Sequence, residues 1–319
     1  MSETAGTRAR VIKNGPRKNR SSITGSINDK IFDFINYLLL VIVLGIVIMP
    51  LLFVIAASVS EPSAVVTGEV WFWPVGFHLE AYKQIFRTGD IMLGYRNTIT
   101  YTLVGTCINL ILTICAAYPL SRKDFAGRGF FILFMVFTMY FNGGMIPSFL
   151  NIQKLHMIDT IWAMVLPTGI STMSVIIMRT FFQTTIPAEL HESALIDGAS
   201  NIHTLLAIVL PLSKPVIAVL LLQYAVGHWN SYMGGLLYIT TWSKRPLQIV
   251  LREILILRVS MEERVGMTKE DLASYAEQLK RGELLKYAII IVANLPVLMI
   301  YPLIQKYFVK GIMIGSVKG

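Results

Sequence analysis

The chain has 319 residues, of which 54% are hydrophobic and only 15% charged, and its mean hydropathy is +0.61. Soluble globular domains carry about 25% charged residues, so this composition excludes a soluble protein and indicates a polytopic membrane protein. The 28 Lys and Arg against 19 Asp and Glu give a formal charge of +9, which topology and anionic head groups account for, so nucleic-acid binding gains no support from it.

In chain order, residues 1–30 form a basic leader containing Arg8, Arg10, Lys13, Arg17, Lys18, Arg20 and Lys30. Long apolar runs at 31–58, 95–120, 129–150, 160–182, 213–240 and 284–309 then predict about six transmembrane helices, an all-α fold. The first run is too long for a signal peptide and no small-x-small cleavage pattern precedes the polar segment after Ser58, so it reads as a retained helix. Positive charge marks the cytoplasmic side. Both the leader and the connection carrying Arg122, Lys123 and Arg128 are therefore expected there, and an even number of spans returns the C-terminus, with Lys306, Lys310 and Lys318, to the same side.

Segment 61–87 on the outside is aromatic, with Trp71, Phe72, Trp73, Pro74, Phe77 and Tyr82. It suits either a belt at the outer interface or contact with an external partner. The other long external connection, 241–282, is polar and balanced in charge over 261–280, and fits a small surface helix pair or a flexible loop.

Between the fourth and fifth runs lies a polar cytoplasmic loop, 184–212. Pro187 stands where a first helical turn tolerates proline, Glu189 and Glu192 lie near that helix's positive end, and Gly198 supplies a stop. Ser200 can cap a second helix, which Pro211 ends or kinks. A short helix, a glycine turn and a second helix would present Glu192 and Asp197 to water as a docking knob.

In the fifth run Gln223, Tyr224, His228, Trp229, Asn230 and Tyr232 interrupt an otherwise apolar helix. A rise of about 1.5 Å per residue from Ser213 puts Gln223 near mid-bilayer. Such groups either bond helices together or line a wet pathway, where aromatic faces and amide donors suit sugars. Asn97, Asn109, Tyr140, Asn142 and Asn294 carry the same two readings, while Pro119, Pro147, Pro167, Pro215 and Pro296 read as kinks. Cys107 and Cys115, eight apart on one helix face and so about 12 Å from each other, cannot bridge. No metal is expected.

The loop resembles the EAA loop of permease subunits of ABC importers, E-A-A-x-x-x-G followed after nine residues by I-x-L-P. Glu192-Ser193-Ala194 with Gly198 matches with serine for one alanine, and Ile208-Val209-Leu210-Pro211 follows at the expected distance. Ala117-Tyr118-Pro119-Leu120-Ser121-Arg122, Leu155-His156-Met157-Ile158-Asp159-Thr160-Ile161-Trp162-Ala163, His228-Trp229-Asn230 and the tail from Phe308-Val309-Lys310-Gly311 to Lys318-Gly319 look like the carbohydrate-uptake branch. Asn142-Gly143-Gly144-Met145-Ile146-Pro147 and Pro246-Leu247-Gln248-Ile249-Val250-Leu251-Arg252-Glu253-Ile254 are similar to permeases that work with lipid-anchored sugar-binding proteins. The resemblance covers 31–319.

What it implies is an ABC importer type I permease fold in the cell membrane, a 31–309 transmembrane domain forming half of an oligosaccharide pathway. Implied partners are a second homologous permease, two ATPase subunits and an extracellular, lipid-anchored solute-binding protein. The ATPase-docking residues would be Glu189, Glu192, Ser193, Ala194, Asp197, Gly198, Ala199 and Pro211, with Lys310, Gly311, Gly315 and Lys318 of the 310–319 tail reaching the same partner. Candidate pathway residues are Tyr140, Asn142, Gln223, Tyr224, His228, Trp229 and Asn230. No G-x-x-x-x-G-K-[ST] occurs, so ATP and Mg are expected on the partner ATPase and no cofactor on this chain. A membrane-embedded enzyme is the rival from another class, but Leu195 stands where H-E-x-x-H needs its second histidine and no G-x-S-x-G is present. An amino-acid or peptide permease would share the loop without His228-Trp229-Asn230 or the tail.

Overall fold

The computed structural model describes residues 27–87, 89–259 and 285–300 and positions 302 and 305, and every regular element among them is helical. Expectations for the leader to residue 26, for 260–284 and for Lys310, Gly311, Gly315 and Lys318 lie outside the described residues. The chain divides into two units, 1–51 and 52–319. Most of α1 (Ile27–Ser58) lies in the first, and there its side chains are exposed on every side. A helix apolar all round needs lipid or protein around it.

The second unit begins with the last seven residues of α1, followed by α2 (Pro62–Val66) and α3 (Glu80–Arg87). Between α2 and α3 the chain closes on itself, Glu61 N–H bonding Val75 O at 2.9 Å and His78 N–H bonding Val59 O at 2.7 Å. Trp71, Phe72, Trp73 and Phe77 are left exposed on that closed loop.

Next comes α4 (Gly89–Ser121), 33 residues and about 50 Å long. Every fourth residue from Asn97 is buried: Asn97, Tyr101, Gly105, Asn109, Thr113 and Ala117. Residues four apart stack on one helix face, so a row of polar and small side chains runs down α4. Because unpaired polar groups are costly away from water, each polar member of the row finds a partner on another segment. Asn97 donates to the carbonyls of Ser243 (2.8 Å) and Arg245 (3.0 Å), and the Tyr101 hydroxyl to Lys244 O (2.7 Å). Asn109 donates to Thr168 O, and Thr113 shares a hydrogen bond with Tyr224 at 2.6 Å. Beside the row, Thr98 Oγ1 accepts the Leu247 N–H at 2.8 Å.

The remaining elements gather on α4. They are α5 (Arg128–Tyr140), α6 (Met145–Lys154), α7 (Ile161–Val165, continued as a 3-10 turn to Thr168), α8 (Thr172–Thr185), α9 (Ala188–Ile196), α10 (Asn201–Thr204), a π turn (Leu205–Val209), α11 (Leu210–Leu212), α12 (Lys214–Trp229), α13 (Tyr232–Tyr238), α14 (Leu247–Val259) and α15 (Leu285–Ile300). On α12 a matching row, Val216, Leu220, Tyr224 and His228, is buried. Two such i, i+4 rows pack as ridges into grooves.

Two helices, α1 and α4, are long and apolar enough to cross a membrane unbroken; three further candidate spans are bent. The run at 129–150 is not straight: α5 and α6 meet at 111°. Its break is Asn142-Gly143-Gly144, where the Asn142 carboxamide oxygen accepts the Gly144 N–H at 2.9 Å and Gly144 takes φ 86°, a left-handed conformation suited to glycine. The path from α7 into α8 turns by 54°, and from 201–212 into α12 by 83°. This last bend follows Pro211, which cannot donate to the carbonyl four residues back. At the break the Ser213 N–H bonds Leu210 O at 3.1 Å, and Ser213 Oγ donates in its place to Val209 O at 2.7 Å.

The expected external connection 241–282 opens as something more ordered than a surface loop. Residues 243–247 are bonded to α4 as described, and α14 buries Leu247, Ile249, Val250 and Leu251. Leu247, Val250 and Leu251 join Ile91 of α4 and Leu285, Ala288 and Val292 of α15 in one apolar cluster. Mixed polarity hid this helix, because Arg252 and Glu253 follow directly on its buried apolar residues. Cys107 and Cys115 are both free thiols.

One of the ionic ties in this unit centres on Asp159. Asp159, in the left-handed region at φ 62°, accepts the N–H groups of Thr240 (3.2 Å) and Thr241 (2.9 Å), the Thr241 hydroxyl (2.6 Å) and Lys244 Nζ (2.9 Å). Its burial pushes the pKa up, but the bonds from Thr241 and Lys244 outweigh this and hold it well below the usual carboxylate range. A carboxylate depressed by folding stabilises above the unfolded aspartate range and loses that contribution as pH falls through it. Asp159→Asn should cost about 1.5–3 kcal/mol in thermal unfolding of the purified protein, by a margin constant above about pH 5 and shrinking below about pH 4.

Candidate functional site

Two features gather the chemistry: a cavity along α12 and the knob built by α9 and α10. The cavity encloses about 720 Å³ between α6, α7, α12 and α13. Helical geometry divides α12 between two tasks. Tyr224 and His228 are buried toward α4, while Gln223, Gly227 and Asn230, spaced four and three apart, form an exposed stripe on the cavity wall. Asn142 and Ser148 face it from the α5–α6 break and α6, and Tyr232 and Tyr238 from α13. Among the described lining residues none is Asp, Glu, Lys or Arg. The wall mixes amides, hydroxyls, the His228 imidazole and tyrosine rings with apolar side chains such as Met164, Met233 and Leu237.

His228 is the pin of the seam behind that wall. Its Nε2 lies 2.9 Å from Asn109 Oδ1. Because Asn109 Nδ2 is committed to the Thr168 carbonyl, Oδ1 is the acceptor and the His228 proton sits on Nε2. The ring rests on Gly105, where a Cβ would lie 2.4 Å from Nε2. Glycine at 105 is thus required for the ring to reach Asn109.

Five of the seven candidate pathway residues, Asn142, Gln223, Tyr224, His228 and Asn230, line this cavity. Trp229 does not. One residue on from His228, it points about 100° away and donates from Nε1 to Ala293 O at 2.9 Å, with Tyr95 at 6.1 Å between ring centroids. Tyr140, at the end of α5, is 83% exposed and outside the lining. Ser148, Thr168, Ser171, Ser231 and Tyr238 also line the cavity. The sequence offered only proximity to Pro167, the glycine pair and the α12 stripe as signals for them.

The knob forms as a helix, a turn and a second helix. Pro187 is the residue before α9, and the helix ends in a two-bond glycine cap: Ala199 N–H to Ala194 O (2.9 Å) and Gly198 N–H to Leu195 O (3.0 Å), with Gly198 at φ 72°. Ser200 Oγ then accepts the His203 N–H at 3.2 Å, capping α10. Of the candidate docking residues Ala194 is buried, Ala199 is half-buried, and Glu189, Glu192, Ser193, Asp197, Gly198 and Pro211 are exposed. Neither Glu192 nor Asp197 makes an ion pair among the described residues. Beside these acids Leu195 is 72% and Ile196 86% exposed.

Behind the knob, His191 packs near Tyr118 at 6.3 Å between ring centroids. Burial, aided by the charge of Arg122 and opposed by Asp124, pushes the His191 pKa down. Arg122 itself pairs with Asp124 at 3.0 Å, and its hydrogen bond holds the Asp124 pKa low.

The seam generates a measurable expectation. Gly105→Ala should lower stability by about 1–3 kcal/mol through overpacking against His228. In a His228→Ala background the same change should cost far less, a coupling that a double-mutant thermal-unfolding cycle reads directly.

Residues 91–314 match the family described as binding-protein-dependent transport system inner membrane component. The chain is 42% identical over 290 residues to Protein LplC of Bacillus subtilis (strain 168), covering 91% of this chain and 96% of that protein. It is 40% identical over 291 residues to the polygalacturonan/rhamnogalacturonan transport system permease protein YtcP of the same organism, covering 91% and 99%. Among solved structures, a chain of a bacterial ABC transporter involved in the import of the acidic polysaccharide alginate superposes with a TM-score of 0.78 at 31% identity, covering 89% of this chain and 99% of that one. The chain belongs to the binding-protein-dependent transport system inner membrane components: it is a multi-pass membrane subunit of an ABC importer that works with an ATPase and a substrate-binding protein.

Proposed function

We propose that this subunit forms half of the translocation pathway for an oligosaccharide. The observation that carries the reading is the cavity, whose uncharged wall of amides, hydroxyls and tyrosine rings matches the hydroxyls and faces of sugars. The relatives named for polygalacturonan and alginate transport support the same cargo class. An amino-acid or peptide cargo fits less well, because its ammonium would meet no acidic side chain among the described residues of the wall.

The assembly proposed has a second, homologous permease chain, two ATPase subunits holding ATP and Mg, and an external lipid-anchored binding protein that delivers the sugar. Six spans with both termini in the cytoplasm fit the placement of Lys and Arg. In this arrangement the knob seats in a cleft of the ATPase, Glu192 meets a cation there, and Leu195 and Ile196 lose their exposure to water. Residues 310–319 would reach the same partner. The knob's capped geometry supports its moving as a rigid piece, and one continuous stretch joins it through the bend after Pro211 to α12 and the cavity stripe. Closure of the ATPase pair on ATP would thereby shift the bundle between inward-open and outward-open states, each favoured by different contacts.

Glu192→Ala should leave the bound cation of the ATPase unpaired and weaken docking by about 2–5 kcal/mol. Co-purification of the tagged chain with its ATPase, followed by sugar-stimulated ATP hydrolysis, measures the effect. An alanine variant that retains the ATPase and full stimulation would contradict the docking role.

A further inference from the structure

Charge is scarce around the cavity, and most of what lies beside it is already paired. Lys244 is bonded to Asp159 and Arg245 to Glu253. Arg252, on α14, is different. It is half-buried and has no carboxylate partner among the described residues. What holds it is Tyr232, whose ring centroid lies 5.8 Å from the guanidinium carbon, and Tyr232 is part of the cavity wall.

A guanidinium resting on an aromatic face is attracted by the ring's quadrupole while its in-plane N–H donors stay open. Those donors form a fork that matches a carboxylate in two parallel bonds. A carboxylate entering a space whose own wall is neutral would lose water without gaining a counter-charge. Arg252 is not itself among the lining residues, but its guanidinium, held on the Tyr232 ring at the edge of that lining, is a counter-charge within one side chain of the space. We propose that Arg252 is a specificity-determining residue that pairs with a carboxylate of the cargo, so that the oligosaccharide class this subunit passes is anionic, built of uronate units, with Tyr232 as the positioning residue for the guanidinium. The inference rests on the oligosaccharide reading above and narrows it.

The test uses the complete transporter, with partner permease, ATPase and binding protein, in proteoliposomes. Trigalacturonate and neutral galactotriose are compared by the half-saturating concentration for stimulated ATP hydrolysis, on complexes first shown to be assembled by gel filtration. Wild type should prefer trigalacturonate. Arg252→Gln should narrow the ratio about tenfold, the loss of one charge-assisted contact, and Arg252→Lys, which keeps the charge without the fork, should give an intermediate ratio. An unchanged ratio in either assembled variant overturns the role of Arg252. Wild type that prefers galactotriose overturns the anionic class and leaves the oligosaccharide reading standing, whereas wild type that responds to neither sugar overturns that reading and this inference together.

Discussion

The structure depends on one constraint: polar groups carried into an apolar bundle must find their partners within the protein. The row Asn97, Tyr101, Asn109 and Thr113 on α4 meets it by reaching in turn to the 243–245 strip, the turn after α7 and the face of α12. These bonds are directional where apolar packing is not, so they set the position of each neighbour along α4 as well as its proximity. Gly105, in the middle of the row, removes a side chain where the His228 ring needs space. Small and polar residues at an interface within the bundle replace the hydrophobic drive that is missing in lipid.

The cavity follows from what the seam leaves over. Because Tyr224 and His228 are held against α4, the stripe Gln223, Gly227 and Asn230 is turned outward. Breaks at the Asn142-Gly143-Gly144 turn and between α7 and α8 separate α6 and α7 from their neighbouring helices, and both line the cavity opposite that stripe. The same chain segment that ends the knob enters α12 through a proline-marked bend. The proposed docking knob and the cavity wall are thus parts of one stretch of polypeptide, so the proposed coupling between them would run through short pieces and few joints.

Much of this was legible in the sequence, for definite reasons. Long apolar runs and the Pro, Gly and Ser punctuation between 187 and 211 act locally, so α1, α4 and the capped knob form where the residues alone place them. The likeness to ABC importer permeases rested on that knob and agrees with the family match over 91–314. Tertiary features were less legible. Asp159 lies in an unremarkable loop, and its partners are some eighty positions away in sequence. His228 and Trp229 looked equivalent as neighbours, yet one pins the cavity wall and the other bonds Ala293. Leu247–Val259 read as part of a polar connection because its burial depends on α15, a segment remote in the chain.

The most direct measurement is uptake of a labelled oligosaccharide into proteoliposomes that contain the partner permease and ATPase, with ATP inside and loaded binding protein outside, with and without this chain. Accumulation that requires both ATP and this subunit is the predicted result. Equal accumulation when the subunit is omitted, or none when every component is present, would contradict the assignment of half the pathway to this chain.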